Sequence, residues 1–225
     1  MEEQHIVKIL EIIPRTHDVK TYRFTKPEGY HFEPGQATDV SINQEKWKNE
    51  KRPFTFTCLN DQDFLEFTIK SYQDHDGVTN ALYSLKPGDE LIIRDVWGTI
   101  QYTGPGYFLA GGAGITPFIA ILRQLKKDNK IAGNELFFSN KTADDIILHD
   151  ELGDILGDNA HFIVTESESS NGNVEHGYMD KAFIQNHIKD YSKPFYLCGP
   201  DNMVAALKDV LKELGAKAES VVFEK

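Results

Sequence analysis

An antiparallel β-barrel followed by a doubly wound parallel sheet is the architecture this sequence predicts. Three observations lead there. Residues 1–104 read as short strands punctuated by turn residues, the grammar of a small barrel. From about residue 107, strand-like and helix-like segments alternate, which implies a parallel sheet covered on both faces. Two strand–turn–helix junctions in that second half, AGGAGITPF at 110–118 and LCGPDN at 197–202, place glycine where the chain reverses. Two domains are expected, 1–104 and 105–225, with QYTGPG at 101–106 as the hinge.

Taken in order, HIVKILEII and VKTYRFTK are rich in β-branched and aromatic residues with partial alternation. Pro27-Glu28-Gly29 turns the chain, and Pro34-Gly35 precedes the strand QATDVSI. RPFTFTCL and FLEFTIKSY follow, and VTNALYSL is a short helix stopped at Lys86-Pro87-Gly88-Asp89. ELIIRDVWG completes six strands. In the second half YFLAGG, ELFFSN, HFIVTE, PFYLCG and ESVVFEK are strands. TPFIAILRQLKK, ADDIILHDEL, DKAFIQNHI and DNMVAALKDVLKELG are helices, the last closed by Gly215. SESSNGN at 167–173 is a surface loop.

Composition narrows the function classes. The chain has 225 residues and a formal net charge of −11, with the acidic excess spread over both halves. Broad nucleic-acid binding needs a positive footprint and is disfavoured. No apolar run has membrane-spanning length, and MEEQHIVKIL lacks the basic and apolar regions of a signal peptide, so a cytoplasmic location is expected. Cys58 and Cys198 are too few for a disulfide framework, a structural zinc or an iron–sulfur cluster. The eight histidines show no His-x3-His spacing, so no metal is expected. Gly-x-Ser-x-Gly is absent, which removes the esterase elbow.

In AGGAGITPF, Gly111, Gly112 and Gly114 permit a tight turn and a close backbone approach. Thr116 is placed to cap the following helix and Pro117 suits its first position. A helix N-terminus there offers free N–H groups to a pyrophosphate. On this loop alone, a packing turn and a nucleotide loop are about equally supported. Pro117 stands where a third glycine would be, and Ser139-Asn140 replaces the acidic residue that usually ends the second strand. Cys198-Gly199-Pro200, at a second strand end of the same sheet, strengthens the ligand reading; a lone Cys198 would be a small buried hydrophobe.

Six pieces stand in one order: PGQ at 34–36, Arg52-Pro53-Phe54-Thr55, Gly77-Val78-Thr79-Asn80, Lys86-Pro87-Gly88-Asp89, GGAGITP at 111–117 and CGPDNM at 198–203. Together they resemble the ferredoxin–NADP reductase family of flavoproteins over nearly the whole chain. The resemblance implies a six-stranded flavin-binding barrel, then a nicotinamide-nucleotide domain. FAD is the expected flavin, with FMN the alternative, and NADPH or NADH is the co-substrate.

Carried over residue by residue, the resemblance implies that Arg52 meets the flavin phosphate with its planar fork. Phe54 lies on the isoalloxazine ring, next to Pro53, and Thr55 offers its hydroxyl to flavin N5. Phe54 stands where the family usually has Tyr, so one ring hydroxyl is missing. Gly77, Val78 and Thr79 open a helix toward the same phosphate. Backbone at Ile69, Lys70 and Ser71 flanks the flavin, and Tyr72 is placed to stack an adenine. Gly112, Gly114, Thr116, Ser139, Lys141, Cys198 and Gly199 line the nucleotide site, with Thr116 and Cys198 beside the nicotinamide. Lys141 is placed to meet a 2′-phosphate, which tilts the choice toward NADPH; a solvated lysine is the plain alternative. Glu224 matches a near-terminal Glu beside the flavin that helps its proton balance. The family often continues to an aromatic that shields the flavin, whereas here Lys225 follows and alternation turns Phe223 away.

The implied activity is hydride transfer from NAD(P)H to bound FAD, then single electrons to an acceptor such as ferredoxin, flavodoxin or another redox protein. The alternatives are a reductase of free flavin, quinone or ferric chelates, and a flavin-binding sensor or subunit without turnover. Lys46, Lys48, Lys51 and Arg52 form a basic cluster suited to an acidic partner, although Glu45 and Glu50 dilute it. A monomer is expected.

Overall fold

The computed structural model describes residues 3–72, 77–98, 100–166, 174–217 and 221–223. Its first half is an antiparallel barrel built from β1 (Gln4–Pro14), β2 (Val19–Thr25), β3 (Ala37–Ile42), β4 (Arg52–Thr55), β5 (Phe64–Lys70) and β6 (Glu90–Arg94). They neighbour one another in the order β4-β3-β6-β1-β2-β5, and a two-residue strand, β7 (Val96–Trp97), also pairs with β3. The chain just past β4 nearly closes the barrel. Phe56 bridges Phe67, and Thr57 N donates to Glu66 O at 2.9 Å. One short helix, α1 (Val78–Tyr83), covers an end. Alternation fills the interior: Val7 and Ile9 of β1 point inward while Ile6 and Leu10 stay exposed. Phe24, Phe56 and Phe67 form the aromatic centre of this core.

The second half is a parallel sheet of β8 (Tyr107–Gly111), β9 (Glu135–Asn140), β10 (Ala160–Val164), β11 (Val174–His176), β12 (Phe195–Cys198) and β13 (Val221–Phe223). Their order is β11-β10-β9-β8-β12-β13. The chain steps outward from β8 to β11 and then returns to β8's other side at β12, so the order reverses between β8 and β12. In an open α/β sheet, ligands gather beyond the strand ends at such a reversal. Helices α2 (Thr116–Lys127), α3 (His149–Leu156), α4 (Lys181–His187) and α5 (Asp201–Glu213) accompany it. Two separate cores result, one led by Phe108, Phe118 and Phe138, the other by Phe137, Phe195 and Leu211. The linker between the halves is held by Tyr196. Its hydroxyl accepts from Thr103 N at 2.9 Å and Gly104 N at 3.0 Å and donates to Gly104 O at 2.7 Å.

Three local expectations need correction. The helix expected over ADDIILHDEL is two elements, a 3-10 turn at Ala143–Asp145 and then α3. A capping box closes the first turn: Thr142 N and Oγ1 both donate to Asp145 Oδ2, at 2.9 and 2.8 Å, and Leu148 then breaks the run with a φ of 55°. Thr116 does not cap α2. A 3-10 turn at Gly112–Ile115 leads directly into the helix, and the Thr116 hydroxyl donates to Ala113 O at 3.0 Å. β11 was not expected, because three residues are too few to show a period.

Candidate functional site

Two cavities meet in the cleft between the barrel and the parallel sheet. The smaller, about 270 Å³, lies on the barrel side and is lined by Pro53, Phe54, Thr55, Thr68, Ile69, Lys70 and Thr79 among others. The larger, about 600 Å³, lies beyond the ends of β8 and β12 and includes Gly112, Gly114, Thr116, Ser139, Lys141, Cys198 and Gly199. Lys70, Tyr72, Ala113 and Thr116 line both. The two cavities therefore adjoin at these four residues.

On the barrel side, β4 and β5 run side by side through the bridge past Thr55, so Thr55 and Thr68 reach the same pocket. The Phe54 ring is half-buried, with Phe67 behind it at 5.9 Å between ring centroids. That backing leaves an aromatic wall suited to a planar ring. Lys70 is held in place by Asp18, with Nζ 2.9 Å from Oδ2. Burial opposes ionisation of Asp18, but hydrogen bonds from Lys70 and Thr16 outweigh it and keep the carboxyl below its ordinary pKa. Lys70 thus stands at the border of the two cavities with its ammonium paired to Asp18.

On the sheet side, the two glycine loops pack backbone against backbone. A Cβ on Gly114 would meet Cys198 O at 2.3 Å and Gly199 N at 2.5 Å. Gly112 takes a φ of +51° in open space, a conformation that L side chains rarely adopt. Gly112, Ala113, Gly114 and Thr116, at the turn into α2, line this cavity. Asn140, at the end of β9, lines the same cavity, and its buried Nδ2 has no hydrogen-bond partner among the described residues.

Of the sequence-predicted residues, Arg52, Ser71, Gly77 and Val78 are not among those lining either cavity. Arg52 is exposed on the rim strand, where Nη1 donates to Lys51 O at 2.7 Å. Ser71 is buried and its hydroxyl has no hydrogen-bond partner among the described residues. Glu224 lies outside the described residues. Sequence reasoning missed Thr68, Trp97, Ala113, Asp145 and Met203, which also line the cavities. Thr68 was legible in principle, as it shares the alternating face of β5 with Lys70. Asp145 stood within ADDIILHDEL, the segment expected to be one helix. Its place on the cavity wall follows from the capping-box turn, and His17 on the barrel lies 3.6 Å from its Oδ1.

Comparison with known proteins matches the two halves separately. An oxidoreductase FAD-binding domain model covers residues 7–102, and an oxidoreductase NAD-binding domain model covers residues 108–209. The reductase component of propane 2-monooxygenase from Rhodococcus jostii (strain RHA1) is 26% identical over 234 residues, covering 97% of this chain. The chain spans 62% of that relative's length. NADH-cytochrome b5 reductase 2 from Mycosarcoma maydis is 27% identical over 248 residues, covering 94% of this chain and 69% of the relative. A ferredoxin NADP+ reductase from Neisseria gonorrhoeae, solved with bound FAD and NADP, superposes with a TM-score of 0.84 at 20% identity over 98% of each chain, a likeness of fold.

Proposed function

The chain belongs to the ferredoxin–NADP reductase family of flavoproteins, with an FAD-binding and an NAD-binding oxidoreductase domain; from that premise we propose that it carries reducing equivalents from a nicotinamide nucleotide through bound FAD to a separate redox protein. The observation that carries this reading is the pair of cavities sharing Lys70, Tyr72, Ala113 and Thr116. When bound, FAD supplies the exchange between two-electron and one-electron chemistry that side chains lack. The protein's own residues bind, orient and exclude water. Phe54 and Thr55 present a ring and a hydroxyl to the flavin, and Thr116 and Cys198 border the nicotinamide. Lys70, oriented by its ion pair with Asp18, offers hydrogen-bond donors at the border of the two cofactor cavities. Positioning of this kind is a large part of what an enzyme contributes to hydride transfer.

The acceptor class is proposed from the relatives. Reductase components of oxygenases recur among them, including a glycine betaine monooxygenase reductase subunit from Chromohalobacter salexigens. An oxygenase component, ferredoxin or flavodoxin fits that pattern. Cys58 lies in the barrel core and Cys198 at the end of β12, so these two cannot jointly hold a cluster. Among the described residues no helix is long and apolar enough to cross a membrane.

The surroundings of Lys141 favour NADH over NADPH. Lys141 Nζ lies 3.4 Å from Glu166, and the Asp145 carboxylate lines the same cavity. A 2′-phosphate would bring negative charge to two carboxylates, whereas a 2′-hydroxyl can donate to one. Anaerobic stopped-flow reduction with each nucleotide tests both readings. The flavin should bleach with either, and kcat/KM should favour NADH at least ~10-fold, a difference of about 1.4 kcal/mol. No bleaching with either nucleotide would sink the reductase reading; a preference for NADPH would restore Lys141 as a phosphate ligand.

Arg52→Ala should weaken FAD retention ~10- to 100-fold, the loss expected from one or two hydrogen bonds to a charged group. Equilibrium dialysis of the apoprotein measures it. Unchanged retention would mean that this exposed guanidinium does not fold back onto the cofactor.

A further inference from the structure

A second connection between the domains lies away from both cavities. Glu66 on β5 is 2% exposed, although it carries a charge. Its Oε1 accepts from Arg123 Nη1 at 2.8 Å and from the Thr57 hydroxyl at 2.9 Å, and its Oε2 accepts from Arg23 Nε at 3.0 Å. Arg123 belongs to α2 of the other domain. Its Nη1 also donates to Thr57 O at 2.6 Å, and Nε and Nη2 grip both oxygens of Glu151 at 2.5 and 2.9 Å. Glu151 thus fixes the fork in one orientation, and the fork reaches the barrel at two atoms.

The elements that meet here are those that build the two cavities. Glu66, Thr68 and Lys70 alternate along one face of β5, and Thr55 and Thr57 share a face of the neighbouring segment. The far ends of both rows line the cleft, and the near ends meet Arg123. On α2, Thr116 and Arg123 are seven residues apart, two turns along one face. Helix and strands are rigid over such lengths, so the angle at the Arg123 end sets where Thr116 and the loop before it stand relative to Thr55. Interfaces between domains of one chain otherwise permit relative motion.

We propose that Glu66 and Arg123 are positioning residues, whose clasp sets the separation and angle of the two cavities. The inference rests on the reductase reading for its kinetic consequence but not for its geometric one. Thr57 links the clasp to the pocket wall, since its hydroxyl lies 3.3 Å from that of Thr68. The ion pair therefore holds a strand pair and a helix in register, and contributes nothing to the chemistry directly.

The double variant Glu66→Gln/Arg123→Met removes the clasp without leaving Glu66 as a buried, unmatched charge. Two measurements judge it, beside Arg123→Lys, which keeps a cation but loses the fork. The first is the distance distribution between nitroxide labels at positions 28 and 189, both exposed and one on each domain. The second is the flavin-reduction rate constant at saturating NADH. The distribution should broaden in both variants. The rate constant should fall at least ~10-fold in the double variant, in keeping with the steep dependence of such reactions on placement, while the dissociation constants of FAD and NADH change less than about 3-fold. Arg123→Lys should fall between it and wild type. A wild-type width in either folded variant overturns the proposal, as does broadening without slower reduction. If wild type itself is not reduced by either nucleotide, the reductase reading fails and the width alone decides the clasp.

Discussion

Gly114→Ala should slow flavin reduction by nicotinamide nucleotide on the order of 100-fold, the penalty that misplacement by about 1 Å brings. The added Cβ would meet Cys198 O at 2.3 Å, Cys198 C at 2.4 Å and Gly199 N at 2.5 Å. All three are backbone atoms, so no rotamer change relieves the contact, and the loops after β8 and β12 must move apart. Those loops border the larger cavity, and none of the three contacted atoms belongs to the barrel. Flavin retention should therefore stay near wild type while the reduction rate collapses, which stopped-flow absorbance and dialysis separate. Gly112→Ala is the control. Its Cβ would meet nothing within 4 Å, and only its φ of +51° is unfavourable, costing about 1–2 kcal/mol. If the two variants behave alike, backbone contact between the loops does not shape the site.

Arg123→Met should lower stability by about 3–5 kcal/mol at neutral pH, because it leaves a buried carboxylate with Arg23 as its one directly bonded cation and the Thr57 hydroxyl as its other donor. Its pH dependence identifies the cause. In wild type, burial works against ionisation of Glu66, but the charge and hydrogen bonds of Arg123, with those of Arg23 and Thr57, hold the carboxyl below its usual range. A carboxyl depressed in the folded state stabilises fully above its unfolded pKa, and that contribution disappears as pH falls through the folded value. Without Arg123, burial is less opposed and the Glu66 pKa rises, so protonation relieves the variant earlier than it harms wild type. Urea unfolding should show the gap narrowing as pH drops from 7 toward about 4. A gap constant over that range would mean that lost packing, rather than an unmatched charge, is responsible.

The parts of the fold set by local pattern were legible. TPFIAILRQLKK corresponds residue for residue to α2, and the glycine loops stand where the strand order reverses. The ADDIILHDEL segment misled because Ile146, Ile147 and Leu148 continue a helical apolar pattern, while the deciding interaction is the reciprocal Thr142–Asp145 cap. Pairings made by topology were invisible. Glu66 and Arg123 are 57 positions apart and Lys141 meets Glu166 across strand ends, so no spacing announces either. The flavin residues named from the Arg-x-aromatic-Thr resemblance divide by reach. Phe54 and Thr55 form cavity wall, and Arg52, at the rim, can meet a phosphate only by swinging its long side chain.

Tyr196 has a consequence for assembly. Exchange of halves between two copies requires the connecting segment to straighten and span from one molecule to another. Here a phenol rooted in β12 accepts from two successive amides of that segment and donates to one carbonyl, so straightening would sacrifice all three bonds at once. The tyrosine thereby adds a cost to any exchange that straightens this segment.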